Sequence, residues 1–239
     1  MFPLAGMTSL QSFYSLRLKI KTAVLFSGLL VSVSITAQQT TDTAYQRVIT
    51  ERTAKIINTL DIKDAALYTT VHQQLIAQYL QLNAIQDESK ASITAIKAQS
   101  LEKDAHAAAV KKEEERKTTV LKQLHQQFIA QLKVNLTETQ IGQIKDGMTY
   151  SVLPVTWKAY LEMLPNLTTP QKDKMYAWLL EARELAMDEG SSDKKHAVFG
   201  KYKGKINNYL SAEGYDMKKE GEDWAKRIQA AKEAKQNQH

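Results

Sequence analysis

Between Gly28 and Gly142 the chain contains neither glycine nor proline, a stretch of 113 residues. Those two residues are the strongest interrupters of regular structure. What fills the gap is mostly Ala, Gln, Lys, Glu and Leu, all good helix formers. Strand-like alternation is absent, so the spacing predicts nearly continuous helix over residues 44–134. Val48, Ile49, Ile56 and Ile57 recur at helical intervals, and Leu67, Val71, Leu75, Tyr79 and Leu82 form a second apolar stripe. Asp61 marks the expected break between them, with Asp64 three residues on as a capping-box-like start.

From Asp87 to Thr119 the stripe thins. Lys111 to Lys117 is a dense run of mixed charge, and Glu113 with Lys117 makes an i,i+4 pair. Nearly cancelling charges predict a solvated helix projecting from the body. Val120, Leu121, Leu124, Phe128 and Leu132 then restore a core-facing face.

Of the 239 residues none is Cys, which excludes disulfides, thiolate metal sites and a cysteine nucleophile. Arg17, Lys19 and Lys21 precede an apolar run from Thr22 to Ile35, and Thr36-Ala37 follow. A basic segment, a short apolar segment and a small residue at the cut describe a secretory leader over residues 1–37. The run falls short of the roughly 20 residues that a spanning helix needs. Cleavage after Ala37 leaves 202 residues, and the formal charge drops from +6 to +3 with the three leader cations. A nucleic-acid partner is therefore not expected. No later stretch is apolar enough to span a bilayer. The expected location is the periplasm or the extracellular space.

After residue 140 the texture changes. All three Trp, and every Gly and Pro that follows the leader, lie here. Leu136-Thr137-Glu138-Thr139-Gln140 and Leu167-Thr168-Thr169-Pro170-Gln171 share an LTxxQ pattern. The Thr accepts from an orphan N–H, the Gln three residues later reaches back, and the Leu staples onto the first turn. Helices are predicted to begin near 138 and 169. Pro154 opens a short helix carrying Trp157, Tyr160, Leu161 and Leu164, which Pro165 ends. The helix from Thr169 has Met175, Trp178, Leu179, Ala182, Leu185 and Ala186 as its stripe, with Gly190 as its C-cap. Ser192 or Asp193 begins the next, with Phe199, Tyr202, Ile206, Tyr209 and Leu210 inward. Residues after about Ala231 are expected to fray.

That last helix holds a local conflict. Gly200 and Gly204 lie inside it, each costing roughly 1 kcal/mol against Ala. They share a stripe with His196 and Asn208. Either a neighbouring helix packs against them or a ligand approaches the backbone there. Lys194, Lys195, Lys201, Lys203 and Lys205 surround the stripe, as a solvated face or as a polar rim. Sugar recognition needs rings that stack on C–H faces and bidentate groups for paired hydroxyls. The residues of those types within a few turns are Arg183, Glu184, Asp188, His196, Lys201, Tyr202, Asn207, Asn208, Tyr209 and Tyr215, and these are the candidate ligand-binding residues. No catalytic residue is assigned, although two of Glu181, Glu184 and Asp188 have the chemistry for an acid and base in a glycosidase or lyase. No His pair has metal-ligand spacing, so neither a metal nor another cofactor is expected.

The paired LTxxQ pattern resembles the periplasmic stress chaperones of the Spy and CpxP type, over five residues twice. A longer resemblance is carried by Tyr160-Leu161-Glu162-Met163-Leu164-Pro165-Asn166-Leu167-Thr168, Glu181-Ala182-Arg183-Glu184, Gly190-Ser191-Ser192, Lys194-Lys195-His196 and the run Phe199 to Leu210. These segments resemble a family of secreted bacterial proteins of unknown function, DUF3826, from about Tyr45 to Trp224. That resemblance implies sugar binding associated with glycan use, with no family reaction or catalytic residues to carry over.

The expected architecture is one all-α domain over 38–239, a bundle of about six or seven helices, long in the N-terminal half and shorter in the C-terminal half. The expected function is non-catalytic binding of an oligo- or polysaccharide. The alternatives are a Spy- or CpxP-like chaperone and a helical carbohydrate-active enzyme. The sequence sets no oligomeric state.

Overall fold

A computed structural model describes residues 32–236. Most of the expected leader, residues 1–31, lies outside the described residues. Eight α-helices and one 3-10 turn account for the regular structure there, with no strand. They are α1 (Ser32–Ile57), the turn Asn58–Leu60, α2 (Ala65–Lys97), α3 (Lys103–Lys133), α4 (Glu138–Met148), α5 (Val152–Met163), α6 (Thr169–Met187), α7 (Ser192–Ala212) and α8 (Met217–Gln236). The all-α class is as expected, with one helix more than the upper count. From Asp42 onward the chain forms one compact unit, and the description concerns that unit.

The break at Asp61 is present: its backbone is left-handed (φ 54°), and Asp64 is itself the N-cap, accepting from the Leu67 N–H at 2.7 Å. A second break, Ala98–Glu102, divides the predicted continuous helix. No glycine or proline marks it. Folding back there lets Leu75, Tyr79 and Leu82 of α2 meet Leu124, Phe128 and Leu132 of α3. Burial of two apolar stripes against each other outweighs the local preference to continue one helix.

Outward of Ser89 and Glu113 the α2–α3 hairpin buries no side chain. At that level Glu113 turns to Arg116 instead of the predicted Lys117, in a bidentate pair at 2.8 and 2.9 Å. Arg116 also reaches Glu88 on α2 at 3.3 Å, clasping the arms together.

Both LTxxQ segments form full capping boxes at the predicted helix starts. Leu136 and Leu167 are buried beside them. Each Gln has a further task with its amide N–H: Gln140 donates to the Leu60 carbonyl at 3.2 Å, and Gln171 to Glu213 at 3.2 Å.

Two apolar cores result. The first joins α1 to α4, from Ile49 through Leu75 and Phe128 to Ile144, and takes in Met187. The second joins α5, α6 and α7 around Leu164, Met175, Leu179, Phe199 and Ile206. The stripe of α6 passes from one core to the other between Ala186 and Met187, while Leu185, predicted to face inward, is 53% exposed.

The end of α6 differs from expectation. The helix stops at Met187 with Asp188 as C-cap, not at Gly190. Its last carbonyls are met by other helices. Lys195 of α7 donates to the Ala186 and Met187 carbonyls, each at 2.9 Å, and Gln86 of α2 donates to Asp188 O at 3.3 Å. Helix α7 begins at Ser192, as predicted, with Ser191 as its N-cap. At the far end α8 continues as helix past Ala231 to Gln236. Its Arg227 covers the C-terminus of α5, donating to the Glu162 and Met163 carbonyls at 3.0 Å.

Candidate functional site

The ten residues singled out from the sequence fall in separate settings. Arg183, Glu184 and Asp188 lie on the side of α6 facing α3 and α4, in a charged seam between the two cores. Arg183 Nη1 meets Asp146 Oδ1 at 2.8 Å, and Lys145 Nζ meets Glu184 Oε2 at 2.7 Å. His125 stands between two carboxylates, Nδ1 at 3.1 Å from Asp188 and Nε2 at 3.3 Å from Glu184. Both ring nitrogens face acceptors, so only the doubly protonated ring satisfies both. The hydrogen bond to Asp188, then that to Glu184, hold the imidazolium up to about 9 against the opposing effect of burial. Burial acts to raise the Glu184 carboxyl, but the hydrogen bonds from His125 and Lys145 and the charges of Lys145 and Arg183 overcome it and hold it at about 2.

Three carboxylates thus face three cations, and the seam is neutral. Such a network positions helices. Glu184 is a fixed anion near neutral pH, unsuited to the part of a general acid.

Residues of α7 divide around its circumference. At about 100° per residue, His196, Gly200, Gly204 and Asn208 form one stripe, and all four are exposed. A β-carbon placed on Gly200 or Gly204 meets no atom within 4 Å. Among the described residues no helix packs against the glycines, which leaves that explanation for them without support. Lys201 is exposed nearby. Tyr202 and Tyr209 lie on another side of the helix, half-buried toward α6. The Trp178 and Tyr209 rings meet edge-on at 5.5 Å, with Lys174 4.1 Å from the Tyr209 centroid and Lys205 4.5 Å from that of Trp178.

Asn207 and Tyr215 are occupied internally. Tyr160 donates to Asn207 Oδ1 at 2.7 Å, and the Tyr215 hydroxyl lies 3.1 Å from Gln171 Oε1. Lys195 departs from the solvated face expected of it: it is 3% exposed. Burial lowers its ammonium to about 8, against the pull of Asp188 and Glu189.

A concave site forms elsewhere, where α1, the α4–α5 corner and the start of α7 meet. Helix α4 ends in a Schellman arrangement: the Ser151 N–H donates to Asp146 O at 2.7 Å and the Tyr150 N–H to Gly147 O at 3.4 Å. Glycine is usual at such a position, but here Tyr150 and Ser151 both take left-handed backbone, φ 59° and 55°. Each costs roughly 1–2 kcal/mol. The effect is to hold the Tyr150 ring against α1 and α7. The Arg52 guanidinium lies 5.1 Å from its centroid and the His196 ring 5.5 Å away. Gly147 allows the close approach of α1, since a β-carbon there would stand 2.8 Å from Ile56.

Two hollows meet at Tyr150 and Arg52, which line both. The outer one, about 390 Å³ and open, is walled by Lys55 and Thr59, by Gln143 and Asp146 of α4, and by Ser151 and Pro154. The inner one, about 160 Å³ and more enclosed, is walled by Tyr45, Tyr79, Asn83, Glu189 and Lys195 with Ser191 and Ser192 at the start of α7. Tyr79 is 6% exposed, and its hydroxyl has no hydrogen-bond partner among the described residues. Burial pushes that hydroxyl up to about 12, with Arg52 pulling the other way. Among the described residues no cluster of three His, Asp or Glu side chains could hold a metal ion, and no helix is long and apolar enough to cross a membrane.

The model of the family described as Protein of unknown function (DUF3826) matches residues 46–230. The chain belongs to the DUF3826 family. Comparison with curated proteins gives no match.

In this DUF3826 protein the hollows are lined by none of the ten residues predicted to bind a ligand. A signal for two of the lining residues was present. Arg52 stands three residues after Ile49 and four before Ile56, and Lys195 stands four before Phe199. Both are cations at inward positions of an apolar stripe. Tyr150 carries a weaker sign, since it follows an amphipathic helix where a glycine would be the ordinary ending.

Proposed function

We propose that this DUF3826 protein is exported and binds a saccharide, without chemical change to it, in the outer hollow beside Tyr150. The observation that carries this reading is the convergence of an aromatic ring, held at energetic cost, with Arg52, Gln143 and Asp146 on one open recess. The ring offers apolar area to the C–H face of a sugar. The other three offer paired donors and acceptors for vicinal hydroxyls. Gln143 donates to Thr59 O at 3.3 Å, leaving its own carbonyl oxygen for a ligand. Asp146 gives one oxygen to Arg183 and keeps the other.

Calorimetric titration against plant and host polysaccharide fragments tests the proposal. Binding that is abolished by Tyr150→Ala supports it; no heat with any fragment refutes it. A second surface, on α6 and α7, is favoured by the partly exposed rings of Trp178, Tyr202 and Tyr209. There Tyr209→Ala, not Tyr150→Ala, would remove binding. The chaperone reading rests on the LTxxQ segments, whose Thr and Gln are both used in starting helices.

A further inference from the structure

The inner hollow presents donors with too few acceptors. Arg52 has five N–H donors and no acceptor, and no carboxylate lies within ion-pair distance of it among the described residues. Lys195 spends two of its three donors on the end of α6, leaving one. The first turn of α7 adds N–H groups that have no partner within the helix, at its positive end.

The deciding group is Tyr79. Arg52 is able only to donate to it, so the Tyr79 O–H donor stays unspent whatever the arginine does. An unpartnered donor on a side chain this deeply buried costs stability unless something accepts from it. Glu189 is the one carboxylate among the described residues that line the hollow. The space is well above the roughly 10–15 Å³ that one water requires. Water would satisfy these donors singly, and Glu189 and Asp188 offset the charge of Lys195, but none of these gives Arg52 a counter-charge at ion-pair distance.

We propose that the inner hollow binds an oxyanion, a carboxylate or sulfate group, held by Arg52, the Tyr79 hydroxyl, Lys195 and the N-terminus of α7. Because Arg52 and Tyr150 line both hollows, a sugar ring against Tyr150 directs such a substituent past Arg52 into the chamber. The protein's ligand is then an acidic saccharide, a statement that rests on the saccharide reading above. A uronic acid and a sulfate ester offer the same acceptor chemistry.

The test uses the purified protein and two pairs of probes. One pair is an oligogalacturonide and its fully methyl-esterified form; the other is a sulfated galactan oligosaccharide and its desulfated form. The acidic member of at least one pair should bind about ten-fold or more tightly than its neutral partner. Which pair shows the preference identifies the oxyanion. The preference should shrink with added salt and vanish in Arg52→Gln. Tyr79→Phe, which removes one oxygen, should weaken the preference without lowering the melting temperature of the free protein.

Equal binding of charged and neutral members, or a preference that survives Arg52→Gln, overturns the oxyanion chamber and leaves the saccharide reading in place. Melting in sodium acetate and sodium sulfate separates the two ideas from the other side. A rise in melting temperature that Arg52→Gln abolishes, with no saccharide bound, supports the chamber and rejects the sugar as carrier. No saccharide binding and no anion-dependent rise rejects both.

Discussion

Asp188 and His125, 63 positions apart in the chain, meet with the imidazole Nδ1 3.1 Å from both carboxylate oxygens. The pair ties α3 to the end of α6, and its strength depends on a proton. The folded-state value of about 9 lies above the ordinary 6.5. Its contribution is therefore full below about 6.5 and is lost as pH rises through 9. Discounted for solvent screening, it amounts to about 1–2 kcal/mol. Denaturant unfolding between pH 6 and 9 should show that fall, and His125→Gln should flatten it. Lys195 acts with the opposite sign: its folded value of about 8 lies below 10.5, so stability recovers as pH climbs from 8 toward 10.5. Glu184 governs the acid side, contributing fully above 4.5 and losing its effect as pH falls toward 2.

Ser151 makes no side-chain cap bond and pays for its left-handed backbone. Ser151→Gly should raise stability by about 1 kcal/mol. For a domain of this size that is roughly 2–4 °C in melting temperature. Scanning calorimetry checks it, and an unchanged or lower midpoint would count against strain at this corner.

Gly200 and Gly204 face open space on a helix. Either Gly200→Ala or Gly204→Ala should stabilise the protein by about 0.5–1 kcal/mol. Saccharide titration should be unchanged in both. A loss of binding would move the ligand from the recess to the bare face of α7.

Thr168 accepts from the Gln171 N–H at 3.4 Å while Gln171 accepts from the Thr168 N–H at 2.9 Å. Thr168→Ala should cost about 1 kcal/mol in urea unfolding. Gln171→Ala should cost more, since it also breaks the contacts to Glu213 and Tyr215.

What the sequence made legible was local. The helix starts at Thr137 and Thr168 and the break at Asp61 depend on neighbours within four residues, and the all-α class follows from the long Gly- and Pro-free stretch with its helical spacing. The turn at Ala98–Glu102 was not legible, because it is imposed by the meeting of two stripes far apart in the chain. Arg183, Glu184 and Asp188 looked like a cluster, but their partners come from α3 and α4, so their role in joining two cores appears only in three dimensions. Tyr202 and Tyr209 were rightly placed on the inward stripe of α7, and the same periodicity sets them apart from the glycines. Lys195 and Arg52 broke the stripes they stand on, and each is now a wall of the inner hollow.

The outer turns of the α2–α3 hairpin have a consequence for design as well as for motion. Their side chains are at most half-buried, so they gain little from desolvation. Their amides should exchange with solvent by local fraying that stops at the Glu88–Arg116–Glu113 clasp, while the body remains closed. The reach of this arm is set by no demand of either core, and matched pairs of turns can be deleted from its two helices without loosening what lies below.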